Sequence, residues 1–391
     1  MTDSVFRSYI GGFKWKFSDL IYYRLTKERI KSNYFPIIPI QVRYLPDLIP
    51  NKKLFGLFWG TPTFKDTDCQ YLFHIYDEKE IDYIISTSSG NTVESMARSI
   101  KIYNEKSKKN IKAILLVPEL SSFKVSRSVI ENNPYVKFIV LKNSTLDSTR
   151  NFAAKLKKEM LENLMCVSAD LNLKTAAYSQ IGLALDQMNL LNDDLCYVQT
   201  VSGGLGPAGF IEYAYLANLS PEVLVIQPLS SMSTPIIDAL TEHSLGHDPF
   251  GIFKKKTYVT SDFEPTLGST KPIYAIEKFI RYRENGGRIL TLQVSKETIL
   301  NQKNNVLKTL INAKIYPTLH SSLFYLELEK SGLIAFVGAI NAAKNIESET
   351  IIVNFTGRYP ENNTILQHSA TPHLYYDPKL GITKLIKILD L

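Results

Sequence analysis

Short β-branched runs alternate with helix-like segments along most of this chain, and no other feature of the sequence restricts its fold so strongly. The helix-like segments carry apolar residues every three to four positions, which is typical of helices that pack on a sheet. Strands and helices in this order form parallel sheets with crossover helices. We therefore predict an α/β fold with two lobes, each a mainly parallel twisted sheet with helices on both faces. The strands are predicted at 53–59, 81–86, 111–117, 137–141, 196–201, 223–226, 287–294 and 350–355.

The segments between these strands predict the helices and one long loop. The stretch 243–270 is rich in Gly, Pro, Lys and Thr and has no clear period, which is typical of a functional loop. Its residues Lys254, Lys255, Lys256, Thr266, Ser269 and Thr270 are candidates for binding a phosphate leaving group, although three such lysines more often lie on a solvated charged loop. Asp147 is the predicted N-cap of its helix. The helices are predicted at 92–105, 123–132, 147–164, 209–219, 271–284, 297–313 and 331–345.

The chain is expected to divide into three parts. Residues 1–35 are aromatic and basic and predict an amphipathic extension that packs onto the body. Residues 36–79 and 165–391 are predicted to form a large domain, and residues 80–164 a smaller, mobile one. Because no internal repeat or low-complexity linker separates them, we expect the two lobes to be closely docked.

Composition favours a folded, soluble protein, since 45% of the 391 residues are hydrophobic and 21% are charged. Cys69, Cys166 and Cys196 are too few and too dispersed for a disulfide framework or a zinc cluster, which favours a reducing, cytoplasmic setting without a metal. No stretch approaches the roughly 20 continuous apolar residues of a membrane span, and the N-terminus lacks the apolar core of a signal peptide. The net charge of +7 comes from dispersed residues, which argues against a nucleic-acid partner.

Lys65 is the first residue that carries a chemical hypothesis. It follows a strand and a turn and stands at the start of a helical run. A lysine in this position is most often an ordinary surface residue. The functional alternative is an amine nucleophile that forms a Schiff base, which needs a lysine held in a partly dry cleft.

The segment 86–92, Ser-Thr-Ser-Ser-Gly-Asn-Thr, lies between a strand and a helix. Backbone N–H groups and the helix dipole converge at such a helix N-terminus, and hydroxyl groups add donors, so an anion can bind there. A simple capping turn is the alternative. Four hydroxyl residues in a row exceed what a cap requires, which favours the anion site.

The segment 202–209, Ser-Gly-Gly-Leu-Gly-Pro-Ala-Gly, also joins a strand to a helix. Its glycines allow the backbone to approach a phosphate closely, and Pro207 suits the first helical turn. The run also contains the formal dinucleotide fingerprint Gly-x-Gly-x-x-Gly, which requires an acidic residue at the end of the next strand. That strand ends in Gln227 and Pro228, so the fingerprint is incomplete.

The fourth segment, 351–358, is an apolar strand that ends in Asn-Phe-Thr-Gly-Arg. Taken alone it is only a strand end. In open α/β sheets, however, a hydroxyl at the carboxyl end of a strand points into the crevice where ligands bind. Thr356 is therefore a candidate binding residue.

Taken together and in this order, these segments resemble the pyridoxal-phosphate enzymes of the tryptophan synthase β, or fold type II, class, and are most similar to threonine synthases and their relatives. The run 57–66, Leu-Phe-Trp-Gly-Thr-Pro-Thr-Phe-Lys-Asp, is similar to the segment around the cofactor-binding lysine. The run 88–92 is similar to the family's asparagine loop, 202–206 to its phosphate loop, and 355–357 to the segment whose hydroxyl faces the pyridine nitrogen. Order and spacing match over nearly the whole chain after about residue 35.

The resemblance implies that pyridoxal 5'-phosphate lies in the cleft between the lobes, bound by the large domain, while the small domain carries the asparagine loop. Lys65 would hold the cofactor and act as general base, and Asn91 would contact its phenolic oxygen. The phosphate would be bound by Ser202, Gly203, Gly204, Leu205 and Gly206, and the ring nitrogen would face Thr356. The substrate carboxylate would be bound by Ser88, Ser89, Gly90 and Thr92.

The activity implied by the resemblance is that of a lyase or transferase of amino-acid biosynthesis, active as a homodimer. It would perform β- or γ-elimination or replacement on an amino acid with an activated, for example phosphorylated, side-chain hydroxyl, as threonine synthases do. The alternative is β-replacement of the cysteine or cysteate synthase or diaminopropionate synthase type. A dinucleotide-dependent oxidoreductase and a non-catalytic relative are less favoured, because Gln227 argues against the first and Lys65 against the second.

Overall fold

Hydrogen bonding between strands builds two separate sheets in this protein, which we describe from a computed structural model. The structure describes residues 40–45, 48–59, 63–76, 81–88, 90–160, 164–166, 171–229, 234–259, 263–264, 267, 269–313, 330–356 and 369–390. The predicted N-terminal extension, 1–35, lies outside the described residues, as do Ser89 and Thr266. The strands are β1 (Ile40–Tyr44), β2 (Lys53–Trp59), β3 (Tyr83–Thr87), β4 (Lys112–Pro118), β5 (Val136–Leu141), β6 (Leu164–Cys166), β7 (Leu195–Thr200), β8 (Glu222–Pro228), β9 (Ile289–Val294), β10 (Thr350–Phe355) and β11 (Leu374–Tyr376).

The first sheet has the strand order β1-β2-β10-β7-β8-β9. All of its strand pairs are parallel except β1 with β2, which are antiparallel. Because β2, β10 and β7 are parallel, their carboxyl ends lie side by side at the same end of the sheet. The segments that follow these three strands carry Lys65, Ser202 and Thr356, so the sheet brings the three together.

The second sheet has the order β11-β5-β4-β3-β6, and its pairs are all parallel. Strands β3 to β5 come from the chain region predicted to form the small domain, 80–164, and β6 (Leu164–Cys166) crosses the end of that region. Strand β11 comes from the predicted large domain, yet Leu374–Tyr376 pairs with Ile139–Leu141 at the edge of this sheet. The sequence predicts the whole C-terminal region in the large domain, since a three-residue strand carries too weak a pattern to be assigned to a distant sheet.

Helices follow the strands as the alternation predicted, with local differences. The predicted helix over 123–132 is a 3-10 turn (Glu119–Lys124) and a single helical turn. Asp147 is not an N-cap: Thr145 caps that helix, since its hydroxyl accepts from the N–H of Ser148 while Ser148 Oγ accepts from the N–H of Thr145. The helices are α1 (Lys65–Tyr76), α2 (Asn91–Ser107), α3 (Arg127–Ile130), α4 (Leu146–Glu159), α5 (Leu171–Tyr178), α6 (Gln180–Gln187), α7 (Leu205–Leu216), α8 (Pro235–Ser244), α9 (Ile252–Lys255), α10 (Ile273–Glu284), α11 (Lys296–Asn312), α12 (Lys330–Ala342) and α13 (Ile382–Leu389).

Each sheet is covered by apolar helix faces on both sides. Along β2, Leu57 faces the core formed with α5 to α8 and α10, and Phe58 faces the core formed with α11 and α12. Along β3, Ile84 packs with α1 and α2, and Ile85 packs with α4 and α13. This alternation is the period of two that a strand imposes on its side chains. The fold class predicted from the sequence is confirmed, and no described helix meets the length and hydropathy needed to cross a bilayer.

A buried polar network ties three strands of the first sheet together beneath the site described below. Asn354 Oδ1 accepts from the indole N–H of Trp59 at 2.8 Å. Asn354 Nδ2 donates to Tyr197 Oη at 2.7 Å and to Gln199 Oε1 at 3.1 Å, and Tyr197 Oη donates to Gln199 Oε1 at 2.6 Å. Because these groups satisfy one another away from water, removing Asn354 takes the acceptor from the buried Trp59 indole N–H.

Replacing Asn354 tests the energetic weight of this network. We expect Asn354→Leu to lower the free energy of unfolding by roughly 2–4 kcal/mol, since the Trp59 indole N–H loses its acceptor in a dry core. Gln41→Ala is the matched control, because its side-chain oxygen accepts from the side chain of Arg43 in an exposed position, and a change within about 0.5 kcal/mol is expected there. Urea unfolding measures both, and an equal loss in the two variants would contradict the prediction.

Candidate active site

A cavity of about 290 Å³ lies between the two sheets, at the carboxyl ends of their strands. Thr87 ends β3, Thr200 ends β7 and Thr356 directly follows β10, and all three line the cavity. This is the position in which parallel α/β sheets bind ligands. The predicted site residues that line it are Lys65, Ser88, Asn91, Thr92, Ser202, Gly203, Gly204, Leu205, Gly206 and Thr356.

Lys65 is the first residue of α1, and its side chain points into this cavity. Its Nζ donates a hydrogen bond to Tyr178 Oη at 2.9 Å. The same Nζ lies 4.4 Å from the centroid of the Phe64 ring and 5.0 Å from that of the Tyr178 ring. Burial between these rings lowers the pKa of Lys65 to about 8, although the carboxylate of Asp68 opposes the shift. The amine is therefore free in an appreciable fraction of molecules near neutral pH.

The loop 202–206 is shaped by one glycine with a positive φ. Gly204 has φ +74° and is the N-cap residue of α7. A Cβ at this position would lie 2.7 Å from Ala275 Cβ, so the loop requires glycine both for its conformation and for space. The N–H groups of the first turn of α7 face the cavity with the positive end of the helix dipole, which suits an anion. Ser202 Oγ accepts from the N–H of Ser269, which holds the loop against the 269–272 segment.

The loop 88–92 offers a second helix N-terminus to the same cavity. Ser88 Oγ accepts from the N–H groups of Gly90 at 3.2 Å and Thr92 at 3.3 Å. Gly90 has φ +131° and precedes α2, while Asn91 and Thr92 form its first turn. Ser88, Asn91 and Thr92 line the cavity, whereas Gly90 shapes the turn without lining it.

Thr356 is part of a neutral hydroxyl pair. Its Oγ1 shares a hydrogen bond of 3.0 Å with Ser331 Oγ at the start of α12, and both residues are buried and line the cavity. The backbone carbonyl of Thr356 accepts from the N–H of Phe64 at 3.3 Å. The strand end at Thr356 and the turn that leads into Lys65 are therefore held together directly.

Two polar contacts join the second sheet's helices to the segment 263–270 across the cleft. Lys124 Nζ lies 2.6 Å from Glu264 Oε1, and a Cβ on Gly90 would lie 3.0 Å from Lys124 Cβ. Thr270 Oγ1 donates to Asp147 Oδ2. Leu267 lies between these two contacts along the chain and lines the cavity, so this part of the 243–270 region forms part of its wall. Lys254, Lys255 and Lys256, by contrast, are exposed on and after α9 and do not line it, whereas Ser269 does.

Residues that bear on the dinucleotide fingerprint, Gln227 and Gly209, cap and pack helices in this structure. Gln227, which stands where an acidic ribose-binding residue would be needed, accepts through Oε1 from the N–H groups of Ile236 and Ile237. It therefore caps α8. Gly209 lies where α7 crosses α5, since a Cβ there would lie 2.5 Å from the carbonyl oxygen of Thr175. Both features serve helix packing.

Several residues of the site were not predicted from the sequence. The cavity is also lined by Lys174 on α5, Arg150 on α4 and Ser331 near the start of α12. Tyr178, also on α5, bonds to Lys65. None stands within a glycine-rich or hydroxyl-rich run, so no local pattern marks them. The one available signal is the i, i+4 spacing of Lys174 and Tyr178, which places both on one helix face.

Comparison with solved structures finds the same architecture in proteins of low sequence identity. A serine racemase from Dictyostelium discoideum superposes with a TM-score of 0.60 at 16% identity, covering 88% of this chain and 99% of that one. The processed form of threonine deaminase isoform 2 from Solanum lycopersicum gives 0.62 at 15% identity, with 89% and 91% covered. An aspartate racemase described as pyridoxal 5'-phosphate-dependent gives 0.58 at 14% identity, with 88% and 96% covered.

No protein-family model and no curated protein matches the chain. The structural matches span almost the full length of the neighbours and most of this chain. The chain therefore has the fold predicted from its sequence, that of the fold type II pyridoxal-phosphate enzymes.

Proposed function

We propose that this protein is a pyridoxal-phosphate-dependent enzyme that performs elimination or replacement at Cβ or Cγ of an amino acid. The observation that carries the proposal is the position of Lys65. Its amine has a lowered pKa and lies in one cavity with two helix N-termini, those of α2 and α7. An amine, a phosphate site and a carboxylate site in one cavity are what this cofactor and an amino acid require.

The residues of the cavity fit the cofactor. The glycine loop before α7 presents N–H groups to an anion, as a phosphate requires. Thr200 Oγ1 is buried at the cavity wall and has no hydrogen-bond partner among the described residues, so a polar ligand atom would satisfy it. The volume of about 290 Å³ is close to the lower end of the range for small-molecule sites.

The roles of the chain follow from this arrangement. Residues 202–206 would hold the phosphate, Lys65 Nζ the aldehyde carbon, Asn91 the phenolic oxygen and Thr356 the ring nitrogen. The N-terminus of α2, with Ser88, Thr92 and the neighbouring Ser89, would bind the substrate carboxylate. When bound, pyridoxal phosphate supplies an electron sink that weakens the bonds at the substrate Cα.

Lys65 would act as general base for the Cα proton. A lysine with a pKa of about 8 is far better matched to this task near neutral pH than a solvent-exposed lysine. Contacts across the cleft, such as Lys124 with Glu264, would exclude water while reactive species are present. We propose that the lobe formed largely by residues 80–164 closes on substrate and that the large domain binds the cofactor.

The neutral pair of Thr356 and Ser331 favours elimination over transamination. Two hydroxyl groups cannot hold a proton on the ring nitrogen in the way that a carboxylate does, so a fully protonated ring is not favoured. The ring would then be a moderate electron sink. A moderate sink favours elimination, in which a leaving group departs from the substrate side chain, over transamination, in which a proton is transferred to the cofactor.

We further propose that the activity is threonine synthase-like. Lys65, Arg150, Lys174 and Lys271 line the cavity, and no acidic side chain lines it among the described residues. This charge suits an amino acid with an anionic leaving group such as phosphate.

β-Replacement of the cysteine or cysteate synthase or diaminopropionate synthase type is the alternative, because structural neighbours with this fold include racemases, deaminases and a hydrogen sulfide-producing enzyme. We further propose a homodimer in the cytoplasm.

Covalent attachment of the cofactor tests the proposal directly. The purified protein incubated with pyridoxal phosphate should turn yellow, and borohydride should fix the cofactor to the peptide that contains Lys65. Lys65→Ala should lose this attachment, whereas Lys254→Ala should keep it, since Lys254 is exposed and outside the cavity. Mass spectrometry reads the site. Attachment at other lysines with Lys65 unmodified, or binding of a nicotinamide dinucleotide in its place, overturns the assignment.

Substitution of Thr356 tests its role at the ring nitrogen. We expect Thr356→Asp to retain the cofactor, to alter its visible spectrum and to slow turnover of O-phospho- or O-acyl-amino acids by about tenfold or more. The reason is that a carboxylate would hold a proton at the ring nitrogen. Thr356→Ser is the control, because it keeps the hydroxyl bonded to Ser331. Unchanged spectrum and rate in Thr356→Asp would show that this residue does not contact the ring.

A further inference from the structure

Tyr178 holds the Lys65 amine in either protonation state. Its side chain is buried, and its Oη lies 2.9 Å from Lys65 Nζ. Burial raises the pKa of Tyr178 well above its ordinary value, and the nearby charge of Asp68 adds to the shift, so it stays a neutral phenol. A neutral phenol accepts a hydrogen bond from an ammonium group and donates one to a free amine.

Lys174 and Asp68 lie against the same two residues. Lys174 is one turn before Tyr178 on α5, and Asp68 is one turn after Lys65 on α1, so each shares a helix face with its neighbour. Lys174 Nζ lies 3.9 Å from Asp68 Oδ2, at the limit of an ion pair. The carboxylate of Asp68 is buried, so its charge acts on its neighbours with little screening by water. We call Lys65, Tyr178, Lys174 and Asp68 the buried quartet.

The approach of Tyr178 to Lys65 depends on Gly209. A Cβ at Gly209 would lie 2.5 Å from the carbonyl oxygen of Thr175 and 2.7 Å from Tyr178 Cβ. Only glycine therefore allows α7 to lie in direct contact with this turn of α5. The last glycine of the fingerprint-like run thus serves to seat the helix that carries Tyr178.

Charges in the quartet act on Lys65 in opposite directions. Asp68 raises the pKa of Lys65 and Lys174 lowers it, while burial is the largest effect and lowers it. Cys69, which raises it, and Arg150, which lowers it, are the other titratable groups that act on this amine. The pair of Lys174 and Asp68 is thus placed to adjust an amine that burial has already made less basic.

We propose that Tyr178 is a positioning residue that holds the Lys65 amine toward the cavity, and that Lys174 and Asp68 balance the charge around it so that free and protonated forms are both accessible. The inference rests on the proposed function only in taking Lys65 as the reactive amine. The phenol fixes the direction of Nζ, which orients its lone pair. The two charges set how often that lone pair is available.

Competitive acetylation of the cofactor-free protein tests the charge balance. Acetic anhydride is applied from about pH 6 to pH 10, and mass spectrometry compares Lys65 with the exposed Lys254 as reference. Half-maximal reactivity of Lys65 is expected near pH 8. Lys174→Met should move this midpoint up and Asp68→Asn should move it down, each by about one pH unit. At pH 7 the free amine then falls about tenfold in the first variant and rises about fivefold in the second. Lys174→Arg should restore the original midpoint, because it keeps the charge.

Tyr178→Phe tests positioning separately. The ring remains and the hydroxyl is lost, so the rate of pyridoxal phosphate attachment to Lys65 should fall about tenfold. The acetylation midpoint should move less than in the charge variants. Tyr282→Phe is the matched control, because Tyr282 is a buried tyrosine whose hydroxyl donates to the carbonyl of Pro221, away from the cavity. It should attach the cofactor at the original rate.

The outcomes separate the two proposals. An unmoved midpoint in both Lys174→Met and Asp68→Asn, or an unchanged attachment rate in Tyr178→Phe, overturns the inference. If the midpoints move as expected but the original protein does not attach pyridoxal phosphate at Lys65, the proposed function fails while the assignment of the quartet's charges stands. Thermal unfolding of each variant identifies any that has lost its fold. If Lys174→Met or Asp68→Asn has unfolded, the midpoint of the other variant, compared with that of Lys174→Arg, decides the charge balance.

Discussion

An amine that must lose its proton easily has to be kept partly away from water, and this requirement at Lys65 orders the structure around it. Water stabilises an ammonium group, so a lysine becomes a useful base only where burial removes that stabilisation. The rings of Phe64 and Tyr178 provide the dry walls. Phe64 directly precedes α1 and Tyr178 ends α5, and both helices contribute to the core beside the second sheet. The reactive position is thus built into the junction of the lobes.

The electrostatics of the cavity follow from backbone geometry as much as from side chains. Helices α2 and α7 both begin at the cavity, each behind a glycine with a positive φ. Their N-termini present partial positive charge toward the same space as the lining lysines and arginine. A cavity of this kind attracts anions, and it does so without a metal-binding group of His, Cys, Asp and Glu side chains among the described residues.

The sequence predicted the sheets and the segments of the site because those features are local. Strands such as 350–355 and glycine loops such as 202–206 carry their patterns within a few residues, and parallel pairing then brings their ends together. Tyr178 and Lys174 were not predicted, since their contact with Lys65 depends on how α5 packs against α1 and α7. The N-cap was misplaced by two residues, because Thr145 and Asp147 are both common caps and the capping box is decided by Ser148. The assignment of individual roles at the site remains a prediction.

The position of β11 affects how the second lobe can fold. This strand completes the sheet edge beside β5, yet more than two hundred residues separate the two along the chain. A contact so distant in sequence closes slowly, because a long loop must be ordered before the pairing rewards it. Until then β5 presents an open row of backbone N–H and C=O groups, and such an edge readily pairs with other chains. The lobe is therefore not a contiguous unit that can be excised, and aggregation during refolding would begin at this edge.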